Sequence, residues 1–264
     1  MQDQEYQKLS KELKDNLSRL MQKRSNWEAH WQEIANYMLT RRADIVSTKS
    51  RGDKRNVQIF DATAIHSLEL LASSLHGSLT SSANRWFSLR FKEAALNDSD
   101  EAKEWLDVVT DKMYIAFNRS NFQQEIFETY HDLIAFGTSC MMIEEDDDTI
   151  VRFSSRHIKE IYIEENARGA VDCIYRRFKI TGKAAAEKFG LENLSKESQN
   201  IYKKSMFEDI EFVHVVKPRD IYNPRKLDKK NMPYVSIYFE MESGHIISIG
   251  GFREFPYVVP RYLK

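Results

Sequence analysis

Apolar residues recur at intervals of three, four or seven through the first forty positions: Tyr6, Leu9, Leu13, Leu17, Leu20, Trp27, Trp31, Ile34 and Met38, with charges between them. This is the one-faced repeat of an amphipathic helix. Ser25 and Asn26 are placed to mark a break or a second N-cap, and the pattern stops at Thr40. The segment Arg41–Arg55 (RRADIVSTKSRGDKR) holds six basic residues against Asp44 and Asp53, with almost no apolar content, and reads as a mobile loop. A second amphipathic helix follows on Ile65, Leu68, Ala72, Leu75 and Leu79, with Asp61 or Thr63 available as N-cap. It dissolves at Gly77 and the polar tract Thr80–Asn84. Alternation in Arg85–Phe91 (RWFSLRF) predicts a strand. Asn97–Asp100 is a start signal for a helix carrying Ala102, Trp105, Leu106, Val109, Met113 and Ala116. Asn118–Asn121 breaks that helix and caps the next, whose stripe is Phe122, Ile126, Tyr130, Leu133 and Ile134 and whose end is Gly137.

Beyond Gly137 the period changes from 3.6 to 2. Predicted strands are Cys140–Glu144, Ile150–Ser154, Ile158–Glu164, Val171–Phe178, Glu208–Lys217, Val235–Glu240, Ile246–Gly250 and Tyr257–Pro260. Helices near 183–189 and 195–207 interrupt them, and Glu242–His245 suits a hairpin turn. The fold class is α+β: N-terminal amphipathic helices, then mostly antiparallel strands with inserted helices. The expected division is a mainly helical region, 1–137, and a mixed β-rich region, 138–264. The final Phe255–Tyr262 stretch is patterned as a core strand, so it either pairs inside a sheet or the polypeptide continued beyond it.

Composition narrows the functional classes. The chain has 264 residues with 39 Lys and Arg against 40 Asp and Glu, a formal charge of −1. That argues against coating DNA by bulk attraction, without excluding a local basic patch. A 42% hydrophobic share excludes wholesale disorder. No apolar run approaches the roughly 18 residues of a membrane helix. The opening MQDQEYQKLSKELKDNL is too polar for a secretory signal. Two cysteines, Cys140 and Cys173, make neither a disulfide framework nor a four-ligand zinc site and suit a reducing compartment.

Catalytic and cofactor signatures are absent: no GxxxxGK[ST], GxGxxG, GxSxG, HExxH or CxxC. His66 and His76, ten residues apart on one predicted helix, are about 15 Å apart along its axis and cannot share a metal. The acidic run Glu144–Asp148 has enough carboxylates for a hard cation, yet lacks ligand spacing and sits better as a solvated hairpin tip. Cys140 falls in a strand pattern and reads as a buried thiol. No cofactor and no enzymatic activity are expected. The basic segment is the one charge cluster with a plausible partner. Arg41, Arg42, Lys49, Arg51, Lys54 and Arg55 are candidate nucleic-acid contacts, and an independent DNA-binding module is the alternative function. The first half is also rich in large rings, which suit either a core or subunit contacts.

In order and spacing, RSNWEAHWQEIANYML, LASSLHGSLTSSANRWFSL, SNFQQEIFETYHDLIAFGTSCMMIEED and FPYVVPRY resemble the N-terminal half of the portal, or head-to-tail connector, proteins of short-tailed bacteriophages. The resemblance runs from about Trp27 to Tyr262. It implies a structural, non-enzymatic subunit of a closed twelve-fold ring at one capsid vertex of the virion, assembled in the host cytoplasm. Implied partners are other copies of the chain, terminase, capsid and tail proteins, and double-stranded DNA passing through the channel, with no membrane. The implied architecture is the portal wing. The channel helices and crown of the family have no counterpart here, which implies a wing-bearing part of a portal.

Overall fold

The computed structural model of the chain describes residues 2–47, 53–54, 59–226 and 228–262. Helix α1 runs unbroken over Gln2–Met38. The predicted break is absent because Ser25 caps nothing: its hydroxyl donates back to the Gln22 carbonyl at 2.8 Å. Helix α2 spans Thr63–Leu79. Asp61 stands just ahead of it, its Oδ1 accepting from the Thr63 amide at 2.9 Å and the Thr63 hydroxyl at 2.7 Å. Helices α3 (Asp100–Arg119) and α4 (Phe122–Phe136) are separated by Ser120 and Asn121. Gly137 ends α4 at φ 73°, a left-handed position that glycine adopts without a Cβ penalty.

The predicted strand at Arg85–Phe91 does not form. Its backbone groups are met by side chains instead of a neighbouring strand. The Tyr114 hydroxyl accepts from the Phe87 amide at 2.6 Å and donates to the Phe87 carbonyl at 3.0 Å. Asn97 likewise accepts from the Phe91 amide and donates to its carbonyl, both at 2.8 Å. With these groups satisfied, the segment stays extended without joining a ladder.

Strands β1 (Cys140–Asp146) and β2 (Ile150–Arg156) make an antiparallel hairpin. A short 3-10 turn, Ile158–Glu160, then precedes β3 (Ile161–Glu165), so that strand starts later than expected. Next come β4 (Val171–Thr181), α5 (Gly182–Phe189) and α6 (Lys196–Lys204). Thr181 caps α5 and Ser195 caps α6 through their hydroxyls. Strands β5 (Asp209–Pro218), β6 (Tyr234–Glu240), β7 (Ile246–Phe252) and β8 (Tyr257–Val258) complete the chain.

Two compact units result, and neither is continuous in sequence. The first joins residues 1–29 to 159–255 around the antiparallel meander β3-β4-β5-β6-β7. Strand alternation buries both faces. Cys173 and Tyr175, Val213 and Val215, and Val235, Ile237 and Phe239 face Leu13, Leu17 and Leu20 of α1. Phe178, Ile210 and Phe212 pack with Ala185 and Leu194. The second unit, residues 30–158 with 256–264, holds α2 to α4 and the sheet β2-β1-β8. Tyr257 pairs with Met142 and Val258 with Met141, so the last patterned stretch finds a partner in β1. Trp31, Ala35, Leu68 and Phe136 form one core there, and Phe122, Met141 and Phe153 another.

Candidate functional site

The predicted loop of residues 41–55 begins anchored. Thr40–Arg42 form a 3-10 turn, and the two apolar residues behind it, Ala43 and Ile45, are buried with Trp31 and Ala35. Gln32 on α1 reads out this stretch like a short strand. Its Oε1 accepts from the amides of Ile45, Val46 and Ser47 at 3.0, 2.8 and 3.1 Å, and its Nε2 donates to the Ala43 carbonyl.

Arg42 faces inward. Its guanidinium pairs with Oδ2 of Asp132 on α4 and lies 3.7 Å from the Glu128 carboxylate. His157 donates from Nε2 to the Arg42 carbonyl at 3.0 Å. The Asp132 side chain is 1% exposed, and its second oxygen, Oδ1, has no hydrogen-bond partner. Burial pushes the Asp132 carboxyl up to about 6, against the pull of Arg42 and with a further push from Glu128. Its neighbour His131 bonds the Phe127 carbonyl at 2.9 Å and Glu69 of α2 at 3.0 Å.

Of the six sequence-predicted contacts, Arg42 is therefore committed to carboxylates of its own unit. Arg41 and Lys54 are exposed. Lys49, Arg51 and Arg55 lie outside the described residues. Asp132 and Gln32 were not singled out from sequence. The available signal was Asp132's position three and four residues before Ala135 and Phe136, on the buried side of α4.

The acidic run divides between strand and turn. Glu144, Glu145 and Asp146 belong to β1, and Asp146 accepts from the Thr149 amide and hydroxyl at 2.9 and 2.7 Å. Those bonds hold its carboxyl below the usual carboxylate range. No group of three His, Cys, Asp or Glu among the described residues is arranged to hold a metal. Burial raises the Cys173 thiol to about 12, far from a reactive thiolate. His76 is occupied by Gln123 at 2.7 Å and packs edge-on to Phe127. No described helix is long and apolar enough to cross a membrane.

The large rings of the second unit gather around Trp86, which stacks on Phe122 and meets Phe87, Tyr114 and Phe117. Helix α3 buries only Leu106 and Thr110 fully. Trp105, Val108 and Ile115 stay about half exposed, at 56, 47 and 50%, and form a row at spacings of three and seven. On α2, Leu70, Leu71 and Leu79 are also exposed.

Residues 10–264 match the family described as bacteriophage head to tail connecting protein. The chain is 32% identical over 254 residues to the portal protein of Salmonella phage epsilon15, covering 95% of this chain and 46% of that protein. It is 32% identical over 247 residues to the probable portal protein of Bordetella phage BPP-1, covering 92% of this chain and 44% of that one. The chain thus spans a little under half the length of these curated relatives.

Proposed function

The chain belongs to the bacteriophage head to tail connecting protein family, and on that footing we propose that it is a structural subunit, or the wing-bearing part of one, of a phage portal. Copies close into a twelve-fold ring at one capsid vertex of the virion after assembly in the host cytoplasm. Double-stranded DNA enters and leaves through the ring, terminase docks on it during packaging, and capsid and tail proteins attach around it. The role is non-enzymatic.

The observation that carries this reading is the 32% identity to the epsilon15 portal protein over 95% of the chain. The exposed apolar row on α3 supports it, because a half-exposed Trp, Val and Ile on a helix whose other exposed positions are mostly charged suit a subunit contact. Ring closure is of the head-to-tail kind, with one patch meeting a different patch on the next copy. Light scattering and negative-stain imaging over rising concentration test it. Ring-sized particles are expected. A full-length portal subunit carrying this chain that stays monomeric throughout would overturn the reading.

A further inference from the structure

A second basic segment lies in the first unit, between β5 and β6, where the sequence pattern alone did not draw attention to it. Hydrogen bonds hold its base and its tip. The Arg219 amide donates to the Pro233 carbonyl at 2.8 Å, closing the base. The Arg219 guanidinium donates to the carbonyls of Met232 and Gly250, each at 3.1 Å, and so serves the fold. Asn231 ties the tip, accepting from the Asn223 amide at 3.1 Å and donating to Asp228 at 2.7 Å. The loop also sits hard against β7: a Cβ on Gly251 would come within 2.6 Å of the Lys229 carbonyl.

Between and beside these bonds stand Arg225, Lys226, Lys229 and Lys230, all exposed. Four of the six residues 225–230 are cations against the single acid Asp228, and none of the four is in an ion pair among the described residues. Tyr222, three residues before Arg225, is exposed as well. The chain as a whole carries a formal charge of −1, so this local excess is balanced by acids elsewhere in the sequence. Asp228 feels Lys226, which leaves a local excess of exposed cations that suits a partner with charges of one sign. Folded protein surfaces mix both signs, whereas nucleic-acid backbones do not.

We propose that Arg225, Lys226, Lys229 and Lys230 form a binding surface for the phosphate backbone of double-stranded DNA. Long cationic side chains suit contacts to phosphates, which position a protein without reading sequence. This rests on the portal reading proposed above: the contact is weak and salt-labile, as DNA sliding past it requires. It does not depend on ring assembly, since every residue it uses lies in one loop of one copy.

The test measures fluorescence anisotropy of a labelled random-sequence duplex against salt. Each neutralised phosphate contributes about −0.9 to the slope of log affinity on log salt. The variant R225Q/K226Q/K229Q/K230Q should bind at least about tenfold more weakly at low salt, with a slope shallower by about 3 to 4. The charge-preserving variant K226R/K229R/K230R should bind like the parent, which separates charge loss from misfolding. Removing three exposed lysines of α6 in the same unit (K196Q/K203Q/K204Q) should change little. The proposal is overturned if the parent chain does not bind or if the quadruple variant binds unchanged. It fails equally if the α6 variant loses as much, or if R41Q/K49Q/R51Q/K54Q/R55Q alone abolishes binding. Altered self-association by light scattering with unchanged DNA affinity would assign the loop to an acidic protein surface instead.

Discussion

Asp132 is a carboxylate held where water does not reach it, and Arg42 sets what that costs. Its carboxyl is raised to about 6 from an ordinary value of 3.8, so the folded chain binds this proton more tightly than the unfolded one. For this group alone, stability is greatest at low pH and falls as pH climbs from about 4 through about 6. Removing Arg42 leaves the charge unpaired. Arg42→Ala should therefore cost about 3 to 5 kcal/mol near pH 7.5 and clearly less near pH 5, where protonated Asp132 no longer needs a counter-ion. Urea melts of both proteins at the two pH values check this, and an equal loss at both would mean that Arg42 serves something other than that carboxylate. Ile150 is a second pressure point. It sits at φ 72° beside the turn Asp147–Thr149, left-handed backbone that a β-branched residue rarely occupies. Its side chain is 64% exposed, so little packing compensates the strain. Ile150→Gly should raise stability by about 1 kcal/mol in a thermal melt, and a lowered melting temperature would mean that Ile150 makes a contact worth more than its strain.

Among elements, period was legible wherever one face had one burying partner. The Leu13, Leu17 and Leu20 stripe of α1, the alternation of β4 to β6 and the Gly137 stop all follow from spacing and local chemistry. Leu13 and Leu17 are both 0% exposed against the meander, so Leu17→Ala should cost about 2 to 5 kcal/mol in denaturant unfolding. What spacing did not reveal was substitution of side chains for backbone partners. Arg85–Phe91 has the alternation of a strand, but the Tyr114 hydroxyl and Asn97 amide occupy the groups a neighbouring strand would use. Tyr114→Phe isolates that effect, keeping the ring on Phe87 while deleting both hydrogen bonds. A loss of about 1 to 2 kcal/mol and faster amide exchange at Phe87 are expected, and unchanged exchange would show that the hydroxyl does not hold the segment. Gln32 plays the same part for residues 43–47, which is why a polar stretch that looks mobile in sequence starts out fixed.

At the scale of the whole molecule, periodicity is silent about pairing between distant segments. Nothing in the first helix announces that it packs on strands that begin some 130 positions later, nor that Tyr257 and Val258 return to β1. The candidate site shows the same limit. A run of basic residues is visible in sequence, but Arg42's inward commitment to Asp132 is a tertiary fact, while Arg225, Lys226, Lys229 and Lys230 are all exposed. The exposed row on α3 is the counterpart for assembly. Core burial in this helix rests on Leu106 and Thr110, so Val108 and Ile115, seven residues apart, contribute little to holding the monomer. If they instead meet a neighbouring copy, placing carboxylates there sets unpaired charge inside a subunit contact, where desolvation is expensive. Val108→Glu combined with Ile115→Glu should thus shift particle mass from rings to monomers while the melting temperature of the isolated chain stays within about 1 °C, since surface changes of this kind move stability little. Rings that persist at unchanged concentration would remove α3 from the contact, and a collapse of the melting temperature would show that the row belongs to the core after all.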